Sequence, residues 1–552
     1  WLKYSWGECS RIDVNDQQER GQALNISESF IVQAPAGSGK TELITQRYLK
    51  LLGCADQPEN VLVMTFTNKA VDELKHRIIN ALNQVKMTVP KEQHKLTTFQ
   101  LAKQVMEQSR KNKWDLLNHP SRIKIVTFDS LSSLIVSRYP SLDQLIPPRT
   151  MTDSYESEEI YKKVAENTIK NIDDKDYTKC ISTVFLYLDN NVERFCKLIV
   201  HMLKKREQWL TKLYRQGVLD TKSLEQTAQE IIIDHLKVLR KTANEILSPK
   251  FFNLLRTNKR DDINKILKLP NCNLEDLSQW QSIAELLLTK DGNWRKNVDK
   301  KIGFPQELKE EKEYLKIILE ELGSASSFKK ILNDLTNLPS AFIEKSTSVH
   351  INDIAKVLKL SVAELNIIFK EQNVQDYAEV LMQAIAALNS REEVSDIALM
   401  LDYQIKHLLI DEFQDTSYSQ FNLIEKLVEN WSLDDAKTIF LVGDPMQSIY
   451  KFRESQVGIF LQVIKNSIGN LKINSLTLTS NFRSNKSIVD INNNIFTQVF
   501  PKENQTLFDA IQFSKSSSAS QKESINAVNF YPLNIGQDVR ESEKVVDIIN
   551  DS

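Results

Sequence analysis

The amino-acid sequence predicts an α/β fold in which a doubly wound parallel sheet is interrupted by a large all-helical insertion. Short apolar runs occur before residue 150 and after residue 395, and they are continuous rather than alternating, which is typical of strands buried on both faces. Helical patterns separate several of these runs, as parallel pairing requires. Between the two regions, apolar residues recur at three- and four-residue spacing and glycine is scarce, which indicates helices.

The predicted strands lie at residues 30–32, 61–64, 123–126, 407–410 and 439–442. Helical patterns follow the first two, at residues 42–52 and 70–82. The insertion is predicted to span residues 151–394, so that the α/β domain consists of residues 1–150 and 395–470. Because ligands of such domains bind at the carboxyl ends of the strands, we expect the functional residues there.

The composition excludes several classes of protein. Hydrophobic residues make up 41% of the chain and charged residues 26%, which is typical of a globular protein rather than a disordered one. The 71 Lys and Arg against 73 Asp and Glu give a net charge of -2, so any surface for nucleic acid must be local. The five cysteines form no CxxC pair, and no apolar run reaches the length of about 18 residues that a membrane helix needs. We therefore expect a cytoplasmic protein without a membrane partner.

A glycine-containing loop follows the first predicted strand and precedes a helical pattern. Its sequence is QAPAGSGKT at residues 33–41, a phosphate-binding loop in the context that this loop requires. Backbone N–H groups of the loop and of the helix N-terminus are expected to bind phosphate oxygens, while Lys40 reaches the outer phosphates and the Thr41 hydroxyl binds Mg²⁺. The residues expected to hold ATP here are Ala36, Gly37, Ser38, Gly39, Lys40 and Thr41.

Hydrolysis of a nucleotide also needs an acidic pair at a second strand end. Asp411 and Glu412 follow the apolar run at residues 407–410. Asp411 is expected to hold Mg²⁺, and Glu412 to orient and deprotonate the attacking water. An acidic pair after an apolar strand can also be merely a solvated turn.

The neighbouring residues provide a more specific signal. The segment DEFQDT at residues 411–416 resembles the DExQD motif of the superfamily 1 helicases related to UvrD and Rep. Four further segments resemble motifs of the same family: TFTNKA at 65–70, TFDSL at 127–131, GDPMQSIYKFR at 443–453 and NFRS at 481–484. Gln18, ahead of the loop, stands where that family keeps a glutamine that reads adenine, although Gln17 could serve instead.

The resemblance implies the architecture of the family. The sheet would be a RecA-like domain, and residues 471–552 would begin a second RecA-like domain. Chains of the RecB/AddA-like branch, the ATP-dependent exonuclease helicase subunits, carry a long insertion and a third motif worded like the one at residues 443–453. The chain is therefore similar to that branch. It begins without Met and stops within a helical-looking stretch at residues 545–549, so we expect a fragment.

The resemblance also implies which groups act on the nucleotide. Gln447, Arg453 and Arg483 would stabilise charge on the transferring phosphoryl group. Phe482 would stack on adenine, with a phenyl ring in place of the tyrosine ring of relatives. The alternative for the two arginines is that they are ordinary surface residues.

DNA contacts are implied for six residues. Aromatic rings hold single strands by stacking on successive bases, and hydroxyl or amide groups at strand ends can bind the DNA backbone. The alternative is core packing for the rings and turn or cap chemistry for the polar groups. The candidates are Phe66, Tyr450, Phe452, Thr65, Asn68 and Thr127.

The insertion contains two basic clusters whose role is open. Residues 204–206, with Trp209 nearby, and the set Lys237, Arg240 and Lys241 would be solvated helix faces or, alternatively, contacts to duplex DNA ahead of the motor.

The function implied by the resemblance is ATP-dependent movement along single-stranded DNA, 3′ to 5′, with binding at single-strand/duplex junctions and a possible nuclease or helicase partner subunit. The family's motifs V and VI are not found, so we expect this chain alone to hydrolyse ATP poorly and not to unwind DNA. The alternative from another class is a non-catalytic, DNA-binding helicase-like scaffold in a recombination nuclease complex. Such a scaffold would be expected to have lost Lys40, Glu412 or an arginine.

Overall fold

The fold divides into two compact units. One, the sheet unit, comprises Trp1–Pro147 and Tyr377–Ser552, and the other, the helical unit, comprises Pro148–Asp376. The computed structural model describes residues 15–87, 89–90, 93–138, 148–213, 221–289, 291–336, 347–389, 396–432, 435–448, 456–502, 504 and 511–520.

The strands are short. In chain order they are β1 (Ser29–Gln33), β2 (Val61–Thr65), β3 (Lys124–Thr127), β4 (Arg149–Thr150), β5 (Val374–Gln375), β6 (His407–Ile410), β7 (Thr438–Gly443), β8 (Ile473–Thr477), β9 (Ser480–Asn481) and β10 (Ser517–Ser518).

The α-helices account for most of the remaining described residues. In the first part of the sheet unit they are α1 (Gln17–Ala23), α2 (Lys40–Leu52), α3 (Asn68–Gln84), α4 (Gln93–Lys111) and α5 (Phe128–Arg138). In the helical unit they are α6 (Ser154–Lys170), α7 (Thr178–Tyr187), α8 (Val192–Lys204), α9 (Arg206–Leu213), α10 (Thr221–Ile246), α11 (Pro249–Thr257), α12 (Asp261–Asn264), α13 (Leu277–Leu287), α14 (Lys309–Glu321), α15 (Ser326–Thr336) and α16 (Thr347–Gln372). The sheet unit then continues with α17 (Tyr377–Leu388), α18 (Asp396–Gln404), α19 (Tyr418–Val428), α20 (Val457–Asn466) and α21 (Lys486–Val499).

Six strands form one parallel sheet in the order β3-β2-β6-β7-β1-β8. The four inner strands are buried from both sides, because alternate residues enter different cores. In β1, Phe30 and Val32 pack on the side of α2 to α4, and Ile31 packs on the side of α5, α17 and α19. This explains why the strands appear in the sequence as continuous apolar runs. The predicted α/β fold with a parallel sheet is confirmed, and all five predicted strands are present.

The sixth strand, β8, was not predicted. It pairs with β1 from Ser29↔Ile473 to Gln33↔Thr477, so residues 473–477 belong to the first sheet rather than to a separate domain beginning at 471. The strand lies at the sheet edge, and only Ile473 and Leu476 of its five residues are buried. An edge strand needs no continuous apolar run, which is why the sequence pattern did not indicate it.

The two ends of the helical unit, where the chain enters and leaves it, are joined by a short pair of strands. Strand β4, near the entrance, pairs in parallel with β5, near the exit, through Arg149↔Val374 and Thr150↔Gln375. The unit ends at Asp376, earlier than the expected residue 394, because α17 packs in the sheet unit through Leu381, Ala384 and Ile385. An apolar helix pattern does not reveal which core the helix enters.

The first basic cluster of the insertion is not a uniform solvated face. Arg206 is fully buried, and its guanidinium donates two hydrogen bonds to the carboxylate of Asp376, which also accepts one from the Tyr161 hydroxyl. Lys204 is half exposed and forms an ion pair with Glu158 at 2.8 Å. Arg206 therefore serves the interior of the helical unit.

Among the described helices, none has both the length and the apolar composition needed to cross a membrane.

Candidate nucleotide-binding site

The phosphate-binding loop connects β1 to α2 at the carboxyl edge of the sheet. Gly37 has a φ of 78°, in the left-handed region that glycine adopts without strain. A Cβ atom on Gly37 would lie 2.7 Å from the Asn481 side-chain oxygen and 2.9 Å from the Cβ of Arg483. The loop therefore needs glycine both for its backbone conformation and for the close approach of residues 481–483. Helix α2 begins at Lys40, so its free N–H groups lie at the loop, where they can bind phosphate.

The predicted phosphate-binding residue Lys40, at the start of α2, contacts the predicted catalytic residue Glu412, which follows β6. The Lys40 ammonium donates a hydrogen bond to the Glu412 carboxylate at 2.7 Å. The side chains are 12% and 40% exposed, so the pair is open to an incoming ligand. Glu412 has a φ of 53°, which residues other than glycine rarely adopt and which is typical of strained functional positions.

Gln414 connects this pair to the end of β7. Its amide nitrogen donates to the Glu412 carboxylate at 2.9 Å, and its amide oxygen accepts the backbone N–H of Asp444 at 2.9 Å. The Asp444 carboxylate in turn accepts a hydrogen bond from the side chain of Gln447. A chain of hydrogen bonds therefore runs from Glu412 to Gln447. Gln414 was recognised only as part of a motif, and its bridging role was not predicted.

Three acidic side chains of this region have raised pKa values. Burial and the neighbouring Glu412 carboxylate raise the pKa of Asp411 to about 6, although Lys40 opposes the shift. Burial and Glu412 also raise the pKa of Asp415 to about 7, and burial raises the pKa of Asp444. Burial is the largest cause in each case and the negative charge of Glu412 adds to it, and a bound cation would oppose both effects.

The residues present fit a magnesium ion that is bound together with a nucleotide. The Thr41 hydroxyl, in the first turn of α2, and the Asp411 carboxylate, directly after β6, are hard oxygen donors at the carboxyl edge of the same sheet. The described residues contain no cluster of three His, Cys, Asp or Glu that could form a complete protein cage. Mg²⁺ commonly binds through one or two protein oxygens plus substrate phosphates, so no such cage is required. When bound, the ion would supply charge neutralisation on the phosphates.

Residues 481–484 lie directly against the phosphate-binding loop. The backbone N–H of Phe482 donates to the Gly37 carbonyl at 2.8 Å, and the Asn481 side chain donates to the Ala36 carbonyl at 3.0 Å. The Asn481 side-chain oxygen accepts the backbone N–H groups of Arg483 and Ser484. These contacts bring the predicted adenine-stacking ring and Arg483 to the loop. The side chains of Phe482 and Arg483 are exposed.

Arg20 is a site residue that the sequence patterns did not indicate. Its guanidinium forms a two-point ion pair with the buried Asp16, donates to the Ser38 carbonyl at 2.7 Å, and lies 5.1 Å from the centre of the Phe482 ring. Asp16 also accepts the backbone N–H groups of Thr479 and Ser480. Burial opposes ionisation of Asp16, but these bonds outweigh it and lower the pKa of the carboxyl. The only sequence signal was an acidic residue four positions before an arginine, which is common on helix surfaces.

Helix α1 also carries both candidate adenine readers. Gln17 and Gln18 are exposed. The structure does not choose between them, and the assignment of Gln18 stays a prediction.

Four of the six DNA candidates lie at or just after the carboxyl ends of β2 and β3. Thr65 and Thr127 are paired in register, and both are buried. The Thr127 hydroxyl accepts the backbone N–H of Ser130, which is the cap chemistry of the alternative interpretation. The half-buried Phe66 lies 5.0 Å, ring centre to ring centre, from Phe128 and packs against the core. Asn68, the first residue of α3, is exposed.

The sheet order separates the two groups of candidates. Strands β6 and β7 lie between β2 and β1, so β2 is about 14 Å from β1 at the usual strand spacing. The acidic pair at the end of β6 lies between the nucleotide and DNA candidates. Tyr450, Phe452 and Arg453 lie outside the described residues and stay predictions.

Comparisons with known proteins agree with this arrangement. An ATP-dependent helicase/nuclease subunit of Bacillus mycoides and its counterpart in a Bacillus cereus strain are each 24% identical to this chain over 523 residues, which is 88% of the chain. The chain spans 39% of the length of these curated relatives. Residues 14–467 match the UvrD/REP helicase N-terminal domain. The chain thus belongs to the UvrD/REP helicase N-terminal domain family.

Proposed function

We propose that this chain forms the ATP-hydrolysing part of a DNA helicase motor that moves along single-stranded DNA. The observation that carries the proposal is the contact between Lys40 and Glu412, joined through Gln414 to Asp444 and Gln447. Such a set can bind a triphosphate and activate a water molecule. The names of the curated relatives support DNA unwinding as the task that hydrolysis drives.

The proposed order of events starts from the contact between Lys40 and Glu412. Before ATP binds, Lys40 is held by Glu412. When the phosphates enter the loop, Lys40 turns to them, and the Glu412 carboxylate becomes free to accept a proton from the attacking water. Gln414 keeps Glu412 in place during this exchange. Arg483, Gln447 and Arg453 stabilise the charge that develops on the phosphoryl group.

Contacts between the loop and residues 481–484 provide a route from nucleotide to motion. Gly37 and Ala36 accept hydrogen bonds from Phe482 and Asn481, so the presence or loss of the outer phosphate changes the surroundings of both segments. A ligand can drive such a change only if it binds two conformations with different affinity. We assign this difference in affinity to the γ-phosphate, which ATP carries and its hydrolysis product ADP lacks.

The finer features are proposed on the family resemblance. Movement runs 3′ to 5′, the junction of single-stranded and duplex DNA is the substrate, and a nuclease or helicase subunit is the partner. The direction is tested by unwinding of duplexes that carry either a 3′ or a 5′ tail, and preferential unwinding from the 5′ tail would contradict it.

The test of the proposed function is DNA-stimulated ATP hydrolysis by the protein at its full natural length. Wild type is compared with Lys40→Ala, which should lose ATP binding, and with Glu412→Gln, which should bind ATP but turn it over at least about 100-fold more slowly. Equal rates in all three proteins, unaffected by single-stranded DNA, would refute the motor and favour the scaffold alternative.

A further inference from the structure

Arg20 connects three segments of the proposed nucleotide site. One of its terminal nitrogens donates to the Ser38 carbonyl of the phosphate-binding loop, and the guanidinium carbon lies over the ring of Phe482. Its partner Asp16 accepts the backbone N–H groups of Thr479 and Ser480, just before that ring. The ion pair therefore contacts Phe482 in two ways: Asp16 fixes the backbone just before Phe482, and Arg20 packs against one face of its ring.

The ion pair itself is well fixed. The Asp16 side chain is 2% exposed and Arg20 is 20% exposed, and two hydrogen bonds at 2.8 and 3.2 Å set the plane of the guanidinium. A planar, two-point pair loses little side-chain freedom for each bond formed. In contrast, Phe482 remains 49% exposed, so its ring offers free surface beside the loop.

We propose that Arg20 is a positioning residue that holds the Phe482 ring ready for the base of the nucleotide. This inference rests on the proposed function and adds that affinity for the base, separately from affinity for the triphosphate, depends on Arg20. An exposed phenylalanine without a fixed neighbour samples several rotamers, and ordering it on binding reduces affinity. A cation over the ring restricts the rotamers of Phe482 before the base binds, so less conformational entropy is lost on binding.

A competing explanation is that Arg20 only braces the phosphate-binding loop through the Ser38 carbonyl. The two explanations differ in what they predict for a ligand without a base. Loss of the loop contact would weaken ATP and inorganic tripolyphosphate equally, whereas loss of ring positioning would weaken ATP alone.

The experiment is equilibrium titration of the 552-residue chain with ATP and with inorganic tripolyphosphate, each with Mg²⁺. We expect Arg20→Ala to weaken ATP about three- to tenfold and to leave tripolyphosphate unchanged. Arg20→Lys keeps a charge beside Asp16 but loses the planar group, so it should weaken ATP less, and it provides the test if the alanine variant does not fold. Arg122→Ala is the matched control, because Arg122 forms a similar two-point ion pair with Glu59. These residues precede β3 and β2, so they lie at the amino ends of the strands, away from the phosphate-binding loop. The Arg122→Ala variant should bind ATP and tripolyphosphate as wild type does.

A second measurement tests whether Arg20 acts through the ring. In a Phe482→Leu background, Arg20→Ala should weaken ATP no further, because the ring that it positions is absent. Two results would overturn the inference and leave the proposed function intact. One is that Arg20→Ala leaves the ratio of the ATP and tripolyphosphate affinities unchanged, and the other is that its effect on ATP affinity is fully additive with that of Phe482→Leu. If the wild-type chain bound neither ligand, the proposed function itself would fail.

Discussion

Lys40 and Glu412 are held together at 2.7 Å although 372 positions separate them in the sequence. The contact exists because β1 and β6 are separated only by β7, and their carboxyl ends meet at the same edge of the sheet. A lysine bound to a carboxylate is not free to bind a phosphate. In the proposed function, ATP would therefore have to displace Glu412 from Lys40.

This competition predicts that Glu412→Gln tightens ATP binding. A partly exposed ion pair contributes about 0.2 to 1 kcal/mol, so its loss should increase ATP affinity about 1.4- to fivefold while turnover falls. The measurement is equilibrium titration with Mg²⁺ and ATP. Glu59→Gln serves as control, since it removes a similar partner from Arg122 at the opposite sheet edge and should leave ATP affinity unchanged. Unchanged or weaker binding by Glu412→Gln would show that the pair does not compete with ATP.

Gly443 leaves no room for a side chain beside Gln414. A Cβ atom at this position would lie 2.5 Å from the Gln414 amide oxygen and 3.1 Å from both the Gln414 backbone nitrogen and the Phe460 ring. We predict that Gly443→Ala lowers the free energy of unfolding by about 1 to 3 kcal/mol and slows ATP turnover, because it displaces the amide that bridges Glu412 and Asp444.

The control for Gly443→Ala is Gly323→Ala, where an added Cβ would meet nothing within 4 Å. Denaturant unfolding should show little change for this variant. Adding Gln414→Ala to Gly443→Ala should restore part of the stability, because the closest clash is with the glutamine side chain. Full additivity of the two substitutions would mean that the clash lies elsewhere.

Phe66 is predicted to bind DNA through a ring that also packs on the core. Phe66→Ala should weaken binding of single-stranded DNA about 5- to 100-fold, the equivalent of one stacked base. Phe66→Leu separates the two roles, because it retains most of the apolar contact with Phe128 and loses the flat face. The measurements are anisotropy of a labelled oligothymidine and the free energy of unfolding. Wild-type DNA affinity in a stably folded Phe66→Leu would assign the ring to the core alone.

Sequence patterns predicted five of the six strands of the sheet and missed one of its two edge strands. Strands buried on both faces need continuous apolar residues, so β1, β2, β3, β6 and β7 were visible. The edge strand β8 buries only Ile473 and Leu476 and was missed. Helix α17 was assigned to the insertion because its pattern is helical, whereas its partners, which only the fold reveals, lie in the sheet unit.

The candidate site was predictable wherever chemistry dictates a short motif. The segments holding Lys40, Glu412 and Phe482 were identified this way, and the structure brings them to one edge of the sheet. Residues whose role depends on neighbours that are distant in the sequence, rather than on a local motif, were not predictable. Arg20 looked like half of an ordinary helix-surface ion pair, and Arg206 looked like part of a basic cluster, yet the first faces Phe482 and the second is buried.

Loss of one partner of the buried pair formed by Arg206 and Asp376 should strongly destabilise the helical unit. Removing one partner from a buried ion pair leaves an uncompensated charge, so we predict that Arg206→Met lowers the free energy of unfolding by about 3 to 5 kcal/mol. Lys204→Met, which removes a half-exposed pair with Glu158, should change it by less than about 1 kcal/mol. The measurement is denaturant unfolding of both variants. Equal effects would indicate that water reaches the Arg206 site.

His407 makes the stability of the sheet unit depend on pH. Burial, with the nearby charges of Arg47 and Lys406, lowers the pKa of His407 from 6.5 to about 4, and its ring nitrogen lies 2.9 Å from the Thr438 hydroxyl. Between these two values the unfolded chain binds a proton that the folded chain does not bind. The stabilisation from neutral His407 is therefore complete above about pH 6.5 and is lost as the pH falls through about 4.

The contribution of His407 to the free energy of unfolding should therefore be about 3 kcal/mol smaller at pH 4 than at pH 7, at 1.36 kcal/mol per pKa unit. The variant His407→Gln retains a hydrogen-bonding group for Thr438 but does not titrate. We expect the free energy of unfolding of this variant to fall less steeply than that of wild type between pH 6.5 and 4, with the difference isolating the histidine from the acidic residues that also titrate. Parallel pH profiles for the two proteins would mean that water or a rearrangement of β6 accommodates the imidazolium in the folded state.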